Sequence, residues 1–460
     1  MISSLRALFL LVFFNLVLFV AAQEDYRIEQ IQIEGNFKTK NYIILRELNF
    51  KVGDSIPSES LAYSLEYSRN MVFNTGLFNT VEFEVDTSVK QLSIKISVTE
   101  RWYIWTFPSI SYADRNFNVW WQTKDISRVN AGISIQHQNF RGRAEKLNLK
   151  LILGYRNQLE ADYFVPFIDG KRSLGLQVQA GYTNARELWF RTDSNKLKFL
   201  FDPNRRAYRQ GHFDLSLHIR PKLSLRHQIL LGWEEIGVTD TVLNAENNPN
   251  YLAGGRDKQN SLKLFYVLKW DKRDIVYYPL KGHFIEWDLE PRYLLEAKDF
   301  HVSSRLNLEK FFGLGGNWFG GIGARSKVSF GAQPYNLYQA IGYKYVLRGF
   351  EDYVMDAEHF VLFKSNLKYR LFNDVVKLPW IKSKFFKQAP TSIFLTLYAD
   401  AGQVFSSGLY DYHNDYRNRW LSGYGIGLDI ASYYDRVIRF EYSLNNLGLR
   451  QLYIHFTAPI

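Results

Sequence analysis

From Arg101 onward the chain alternates between apolar and polar residues with a period of two. Residues 213–219, for example, run Phe-Asp-Leu-Ser-Leu-His-Ile, and residues 146–153 run Lys-Leu-Asn-Leu-Lys-Leu-Ile-Leu. Successive side chains of a β-strand point to opposite faces, so this pattern predicts strands with one apolar and one polar face. The polar faces carry many charges, whereas the apolar faces are aliphatic and framed by aromatic residues, which is typical of a barrel with a lipid-facing exterior. A soluble β-rich enzyme is the alternative, but its apolar faces would have to pack on a second sheet.

The alternation predicts sixteen strands, an even number as in bacterial outer-membrane barrels. They are placed near residues 103–113, 129–139, 144–154, 158–166, 172–183, 210–221, 226–237, 259–271, 282–291, 301–312, 318–329, 359–370, 391–401, 420–430, 435–443 and 451–457. Many connectors after even-numbered strands are short. Long connectors follow several odd-numbered strands, at 184–209, 238–258, 330–358 and 402–419. Short turns on the periplasmic side and long loops outside fit such a barrel, and the long connector 371–390 is an exception.

Residues 1–22 have the composition of a signal peptide. Arg6 supplies a positive start, residues 7–19 form an apolar core, and small residues precede an expected cleavage at Gln23. An uncleaved N-terminal anchor is the alternative. Further along the chain no run approaches the ~20 apolar residues that a membrane helix needs. We therefore expect a mature protein that leaves the cytoplasm and has no transmembrane helix.

Residues 23–100 differ from the rest and predict a small two-layer domain with the order β-α-α-β-β. The expected strands are 26–34, 78–85 and 91–98. One helix is expected to be capped by Thr39 and to run through Leu48, and a second fits residues 58–73. The predicted fold class is therefore mostly β, with this domain followed by a sixteen-stranded antiparallel transmembrane barrel over residues 101–460.

The composition and the motif content argue against several other functions. The chain has no cysteine, which excludes disulfides, thiolate metal sites and a lipidated cysteine anchor. Its formal net charge is +11, but Lys and Arg alternate with apolar residues along strands and form no cluster, so nucleic-acid binding is not predicted. We find no nucleophile elbow, phosphate-binding loop or His-Glu-x-x-His helix, and predict no catalytic, cofactor-binding or metal residues. His218 is interpreted as a polar residue of the lumen.

Several short motifs carry a resemblance to a known family. The first domain resembles a POTRA domain in the ordered set Gly35-Asn36, Arg46-Glu47-Leu48, Gly53-Asp54, Asn74-Thr75-Gly76-Leu77-Phe78 and Glu100-Arg101-Trp102. In the barrel, the resemblance rests on Asn139-Phe140-Arg141-Gly142, on the turn after strand eight with Asp271, Arg273, Asp274, Pro279 and Gly282, and on Leu347-Arg348-Gly349-Phe350. Together they resemble the BamA/TamA superfamily of outer-membrane assembly and translocation barrels, here as a short member with one POTRA domain.

The resemblance implies that the Arg348, Gly349 and Phe350 tip folds into the barrel, where Arg348 pairs with Asp400 on the inner face of strand thirteen. Strand parity agrees, since residues 393, 395 and 397 are apolar and send Tyr398 and Asp400 inward. A buried charge needs a partner, and the planar fork of Arg fits a carboxylate. Glu351 and Asp429 are candidates for additional acceptors of the Arg348 guanidinium. The residues expected to support the loop within the lumen are Tyr398, Gly402, Gly423, Gly425, Gly427 and Asp429. Without side chains, the three glycines of strand fourteen leave room for this loop.

The family implies a non-enzymatic protein of the bacterial outer membrane, with its POTRA domain in the periplasm. It would insert or translocate polypeptide clients. The POTRA domain would capture clients by pairing at its exposed sheet edge, and the alternative for this domain is a structural spacer. Its expected partners are outer-membrane lipid, unfolded outer-membrane or secreted polypeptides, and periplasmic or lipoprotein partners, and no cofactor is expected. The alternatives are a secretion pore dedicated to one partner protein, a barrel enzyme such as a phospholipase or protease, and a passive porin. Residues 457–460 follow the closing strand where the family ends on an aromatic residue, so the seam between first and last strands is expected to differ.

Overall fold

The structure is a computed structural model that describes residues 25–88, 91–112, 129–381, 383, 388–410, 415–432 and 435–456. The predicted signal peptide, residues 1–22, lies outside the described residues. Among the helices in these ranges, none is both long enough and apolar enough to cross a bilayer. The chain divides into two compact units, with the boundary between Glu100 and Arg101.

In its described residues, 25–88 and 91–100, the first unit is a four-stranded sheet with two helices. Its elements are β1 (Asp25–Glu34), α1 (Asn41–Leu45), β2 (Ser55–Pro57), α2 (Ser58–Phe73), β3 (Phe78–Ser88) and β4 (Gln91–Glu100). The strand order is β2-β1-β4-β3, in which β1 and β4 are parallel and the other pairs are antiparallel. Fully buried aliphatic side chains from both layers form the core, among them Ile28, Ile44, Val72, Leu92 and Ile96. The sequence analysis missed the three-residue strand β2.

Thr39, which the sequence suggested as the cap of the first helix, lies two residues before the start of α1 at Asn41. Lys40, which directly precedes α1, makes no capping bond with its side chain. The Thr39 hydroxyl donates to the Glu100 carboxylate at 2.7 Å, and the Thr39 backbone N–H donates to the same oxygen at 2.7 Å. Hydrogen bonds to a carboxylate are charge-assisted and strong, so Thr39 ties the start of α1 to the end of β4.

Within the described ranges, the second unit contains one antiparallel sheet of sixteen strands, as predicted. Neighbours in the sheet follow chain order: β5 (Ile104–Tyr112), β6 (Val129–Phe140), β7 (Glu145–Gly154), β8 (Arg156–Val165), β9 (Leu174–Ala185), β12 (Tyr208–Lys222), β13 (Leu225–Val238), β14 (Lys258–Asp271), β15 (Gly282–Leu294), β16 (Asp299–Gly315), β17 (Trp318–Gly331), β20 (His359–Lys377), β21 (Gln388–Phe405), β22 (Leu421–Ser432), β23 (Arg436–Asn445) and β24 (Arg450–Phe456). Each of these strands overlaps one predicted strand.

The side chains of this sheet are arranged with the apolar face outward. Phe213 and Leu215 on β12 are 50% and 41% exposed, whereas Asp214 and Ser216 between them are 6% and 0% exposed. The same inversion recurs on β23, where Arg439 and Glu441 are buried and Phe440 and Tyr442 are exposed. An apolar exterior around a charged interior is the arrangement of a membrane barrel, and it follows directly from the period-two pattern.

Two connectors differ from the sequence interpretation. Half of the long connector at 371–390 is strand, because β20 continues to Lys377 and pairs there with Gln388 of β21. The connector 184–209 holds its own hairpin, β10 (Glu187–Asp193) and β11 (Lys196–Phe201), which the sequence analysis missed. Smaller elements lie in other long connectors: α3 (Asp240–Leu243), β18 (Gln339–Ile341) and β19 (Met355–Asp356).

Candidate functional site

The connector between β17 and β20, residues 332–358, is folded against the inner face of the barrel, and we call it the inner loop. Its polar contacts involve Lys327 of β17, Lys364 of β20, Asp400 of β21, Asn445 of β23 and Gln451 of β24. Its backbone also passes close to Gly423 of β22. The loop therefore touches six strands that are consecutive in the sheet.

Arg348 at the tip of the inner loop forms a two-pronged ion pair with Asp400. Its Nε donates to Asp400 Oδ2 at 2.8 Å, and its Nη2 donates to Oδ1 at 2.5 Å. The same Nη2 donates to the Ser365 carbonyl at 3.0 Å, and the guanidinium lies 4.1 Å from the centre of the Tyr398 ring. Both charged residues are only 3% exposed. The pair is thus buried, bidentate and stacked on an aromatic face.

The charges around this pair differ from the additional acceptors that the sequence suggested. Glu351 accepts the Gly349 backbone N–H at 2.8 Å, and Asp429 pairs with Arg439, so neither bonds to Arg348. Instead, Glu441 lies 3.7 Å from Arg348 Nη1. The alternation along β23 already placed Glu441 and Arg439 on the inner face, and that signal would have identified both.

The glycines of β22 differ in what they make room for. Gly423 admits the loop, because a Cβ there would lie 1.8 Å from the Arg348 carbonyl oxygen. Gly425 admits the Tyr398 phenol, whose oxygen would lie 2.5 Å from such a Cβ. Gly427 is the least crowded of the three, with nearest atoms at 3.2 Å.

Two further glycines that the sequence singled out lie at close contacts of the loop. Gly349 has a φ of +86°, a conformation that side chains disfavour, and its carbonyl accepts from Asn445 Nδ2 at 2.6 Å. A Cβ on Gly402 would lie 3.1 Å from Leu362 and 3.5 Å from Ile341 of the inner loop.

Phe350 lies in an apolar cluster between the loop and the barrel wall. The cluster joins loop residues to residues of β20, β21 and β22, and its buried members are Ala340, Ile341, Leu347, Phe350, Met355, Ala357, Phe360, Leu362, Val404 and Leu421. The Phe350 ring also packs edge-on against Tyr416 at 5.9 Å. The tip is therefore held by apolar packing on one side and by the Arg348 ion pair on the other.

The turn between β14 and β15 is built by the motif predicted after strand eight. Arg273 donates to both oxygens of Asp271, at 2.9 and 2.7 Å, and its guanidinium lies 4.1 Å from the centre of the Phe284 ring. Gly282 has a φ of +103°, and a Cβ there would lie 2.0 Å from the Lys272 carbonyl oxygen. The motif fixes a tight, closely packed turn.

Asp274 and Pro279 complete this turn. The Asp274 carboxylate accepts the backbone N–H groups of Ile275 and Leu280, at 2.9 and 3.1 Å. Burial raises the pKa of Asp274, against the opposing effect of these hydrogen bonds. Pro279 is buried beside Tyr278.

Tyr278 of this turn enters the barrel from the end opposite the inner loop. Its hydroxyl donates to Asp429 Oδ2 at 2.7 Å, and Asp429 also accepts from Thr396 and Arg439, at 3.1 and 2.9 Å. The sequence analysis missed this residue, since a tyrosine in a turn carries no signal of its own. Asp429 and Asp400 are thus two inward acidic residues on adjacent strands, each engaged by a connector from a different end.

Comparison with protein families accounts for this architecture. Residues 26–101 match the POTRA family, described as a surface antigen variable number repeat. Residues 139–362 match the Omp85 superfamily domain. The chain belongs to the Omp85 superfamily. The expected family, the mostly β fold and the location in the bacterial outer membrane, with the POTRA domain in the periplasm, are confirmed.

Solved structures of bacterial proteins align with this chain at low sequence identity. CdiB from Escherichia coli aligns with a TM-score of 0.50 at 11% identity, over 94% of this chain and 76% of that chain. BamA from Haemophilus ducreyi lacking POTRA domains 1–3 gives 0.48 at 15% identity, over 94% and 84%. CdiB from Acinetobacter baumannii gives 0.44 at 12% identity, over 94% and 73%. Comparison with curated protein sequences gave no match.

Proposed function

We propose that this Omp85 protein inserts polypeptide clients into the outer membrane or translocates them across it, and that it does so without enzymatic chemistry. Its partners would be outer-membrane lipid, unfolded outer-membrane or secreted polypeptides, and periplasmic or lipoprotein factors. One observation carries the proposal: the inner loop occupies the inner face of the barrel while a POTRA domain precedes the barrel. A passive porin needs an open lumen and no periplasmic domain.

The buried loop is the main argument against steady conduction. Arg348, Leu347 and Phe350 are each at most 3% exposed, and the loop contacts six strands. Porins keep an aqueous channel through the barrel, whereas the tip of this loop is buried against the inner face of the strands. We assign Arg348, Gly349, Phe350 and Asp400 the role of a latch that holds the loop in place. In this role Arg348 is structural and takes part in no reaction.

The POTRA domain offers a surface suited to an extended chain. β3 lies at one end of its sheet, and in the described part of the chain no further strand pairs with it. A groove of about 470 Å³ runs between β3 and α2, lined by Leu65, Val81 and Phe83 with charged residues beside them. An unpaired strand edge next to a groove of mixed apolar and charged residues can give an incoming strand both backbone bonds and side-chain contacts.

Insertion by the reconstituted protein tests the function. The full chain is placed in liposomes, and an unfolded barrel client is added while its folding is followed by protease protection and by gel mobility. We expect faster folding than in empty liposomes. Recovery of the client inside the vesicles in place of the bilayer would indicate secretion. If no client tried folds or crosses faster than in empty liposomes, the proposal is wrong.

Client capture by the POTRA edge has its own test, which the absence of cysteine makes clean. A Glu82→Cys variant places one thiol on β3 beside the groove. We expect it to form a disulfide with a client peptide that carries a single cysteine. The matched control is Glu59→Cys, on the exposed first turn of α2, which should remain unlinked. Equal cross-linking at both positions would count against capture at the edge.

A further inference from the structure

Three metal-ligating side chains from three different elements converge beside the inner loop. They are Glu351 of the loop, Glu441 of β23 and His455 of β24, and one ligand atom from each lies within 4.8 Å of the others. His455 Nε2 is 3.1 Å from Glu441 Oε2 and 3.8 Å from Glu351 Oε1. Neither the motifs nor the proposed function involves this cluster.

The polar atoms that face one another in this cluster have no hydrogen-bond partner in the described part of the chain. These atoms are Glu351 Oε1, both carboxylate oxygens of Glu441 and His455 Nε2. Glu441 is only 1% exposed. His455 Nε2 and Glu441 Oε2 are close enough to bond, but their alignment is not that of a hydrogen bond. Burying carboxylate oxygens without hydrogen-bond donors costs free energy. The side chains of the cluster therefore leave room for a further group that these oxygens can bind.

The nearby arginines do not donate hydrogen bonds to the Glu441 carboxylate. Arg348 Nη1 and Arg439 Nη1 each lie 3.7 Å from Glu441 Oε1, which is beyond hydrogen-bond length. Each guanidinium already holds a carboxylate by two bonds, Arg348 with Asp400 and Arg439 with Asp429. The groups that face Glu441 Oε2 are therefore the side chains of His455 and Glu351.

We infer that Glu351, Glu441 and His455 bind a divalent transition-metal cation of the zinc class. Zinc takes carboxylate oxygen and imidazole nitrogen at about 2.0–2.2 Å in tetrahedral geometry, so its ligand atoms stand roughly 3.3–3.6 Å apart. The separations of 3.1 and 3.8 Å bracket that range. An imidazole ligand favours zinc over calcium or magnesium, which prefer oxygen alone. Three protein ligands leave the fourth position to water.

The surroundings orient one of the ligands. The other oxygen of Glu351 accepts the Gly349 backbone N–H at 2.8 Å, which turns Oε1 toward His455. In metal sites, the atom of a ligating side chain that does not bind the metal regularly takes part in a hydrogen bond of this kind. Bound there, the cation joins the inner loop to the last two strands of the barrel. This inference does not depend on the proposed function.

Zinc binding by the full chain tests the inference. The protein is purified in detergent without a histidine tag, stripped with EDTA and titrated with ZnCl₂ in a calorimeter. We expect one ion per chain, with affinity about tenfold or more lower in His455→Asn and in Glu351→Gln. The matched controls are His212→Asn and Glu160→Gln, on the distant strands β12 and β8, which should bind as the unchanged protein does. Calcium at equal concentration should not compete.

A second measurement does not depend on the variants folding. Hydrogen exchange of the unchanged protein, with and without zinc, should show slower exchange on β24 and on the tip of the inner loop. No saturable binding, equal weakening in the control variants, or zinc binding that leaves exchange on β24 unaltered would each overturn the inference.

Discussion

Replacement of Arg348 by aspartate is expected to destabilise the barrel by about 3–5 kcal/mol, the range for breaking a buried ion pair. The variant places a second carboxylate beside Asp400, which is 3% exposed. Lys364, at 3.7 Å, would be the nearest remaining cation, and it already donates to the loop carbonyl of Val346. The double variant Arg348→Asp with Asp400→Arg should recover part of the loss, because it restores opposite charges in swapped positions.

The change is read from the temperature at which the folded barrel loses its compact mobility in SDS gels, and from unfolding in urea followed by tryptophan fluorescence. The control variant is Arg256→Asp, at an exposed position of another long connector, for which no change is expected. If Arg348→Asp unfolds at the same temperature as the unchanged protein, the ion pair does not hold the loop in place. If the double variant recovers nothing, the effect does not come from pairing of these two charges.

Substitution of Gly423 by alanine is expected to unseat the inner loop. The added Cβ would lie 1.8 Å from the Arg348 carbonyl oxygen, and neither backbone can easily withdraw. Gly423 is held in the sheet between Asp400 and Asn445, while Arg348 is held by its ion pair. Overpacking of this kind costs about 1–3 kcal/mol where the structure adjusts. Here the loop is the part that adjusts, so the contacts of Arg348 should be lost with it.

Trypsin reports this movement directly, because Arg348 is buried in the seated loop and becomes a cleavage site when the loop leaves. We expect protection at Arg348 in the unchanged protein and rapid cutting in Gly423→Ala. Gly427→Ala, four residues along the same strand, is the matched control, since its nearest neighbours stand at 3.2 Å. Protection that persists in Gly423→Ala would show that the glycine does not serve to admit the loop.

Strand parity is what made much of the barrel predictable from the sequence. A residue at a known position in a strand has its face fixed, so the apolar residues 393, 395 and 397 were enough to direct Asp400 inward. The connector 371–390 was predicted to be too long because both strands that flank it continue beyond the end of their lipid-facing apolar pattern. The signal for the hairpin β10–β11 lies in its turn residues, Ser194 and Asn195. Their φ angles are +52° and +59°, and positive φ is what a two-residue hairpin turn of this kind requires.

Contacts between connectors and distant strands were not predictable in the same way. Tyr278 and Asp429 are separated by 151 residues, and their meeting depends on how far a turn reaches into the barrel. The cluster of Glu351, Glu441 and His455 joins a loop to two strands, and parity fixes only the strand residues. The period-two pattern shows on which face of the sheet a strand residue lies. How far a connector extends into the barrel depends on packing between distant segments, which no local sequence pattern shows.

The contacts of the inner loop also set an order of events during folding. Parts of the loop bond to residues that precede it, such as Asn195 and Lys327. Its tip differs, because Arg348 bonds to a residue 52 positions downstream and Gly349 to one 96 positions downstream. The tip therefore cannot form these bonds until β21 and β23 are in place, and contacts of long sequence separation are slow to form. A chain halted before β21 would carry the tip without these two partners.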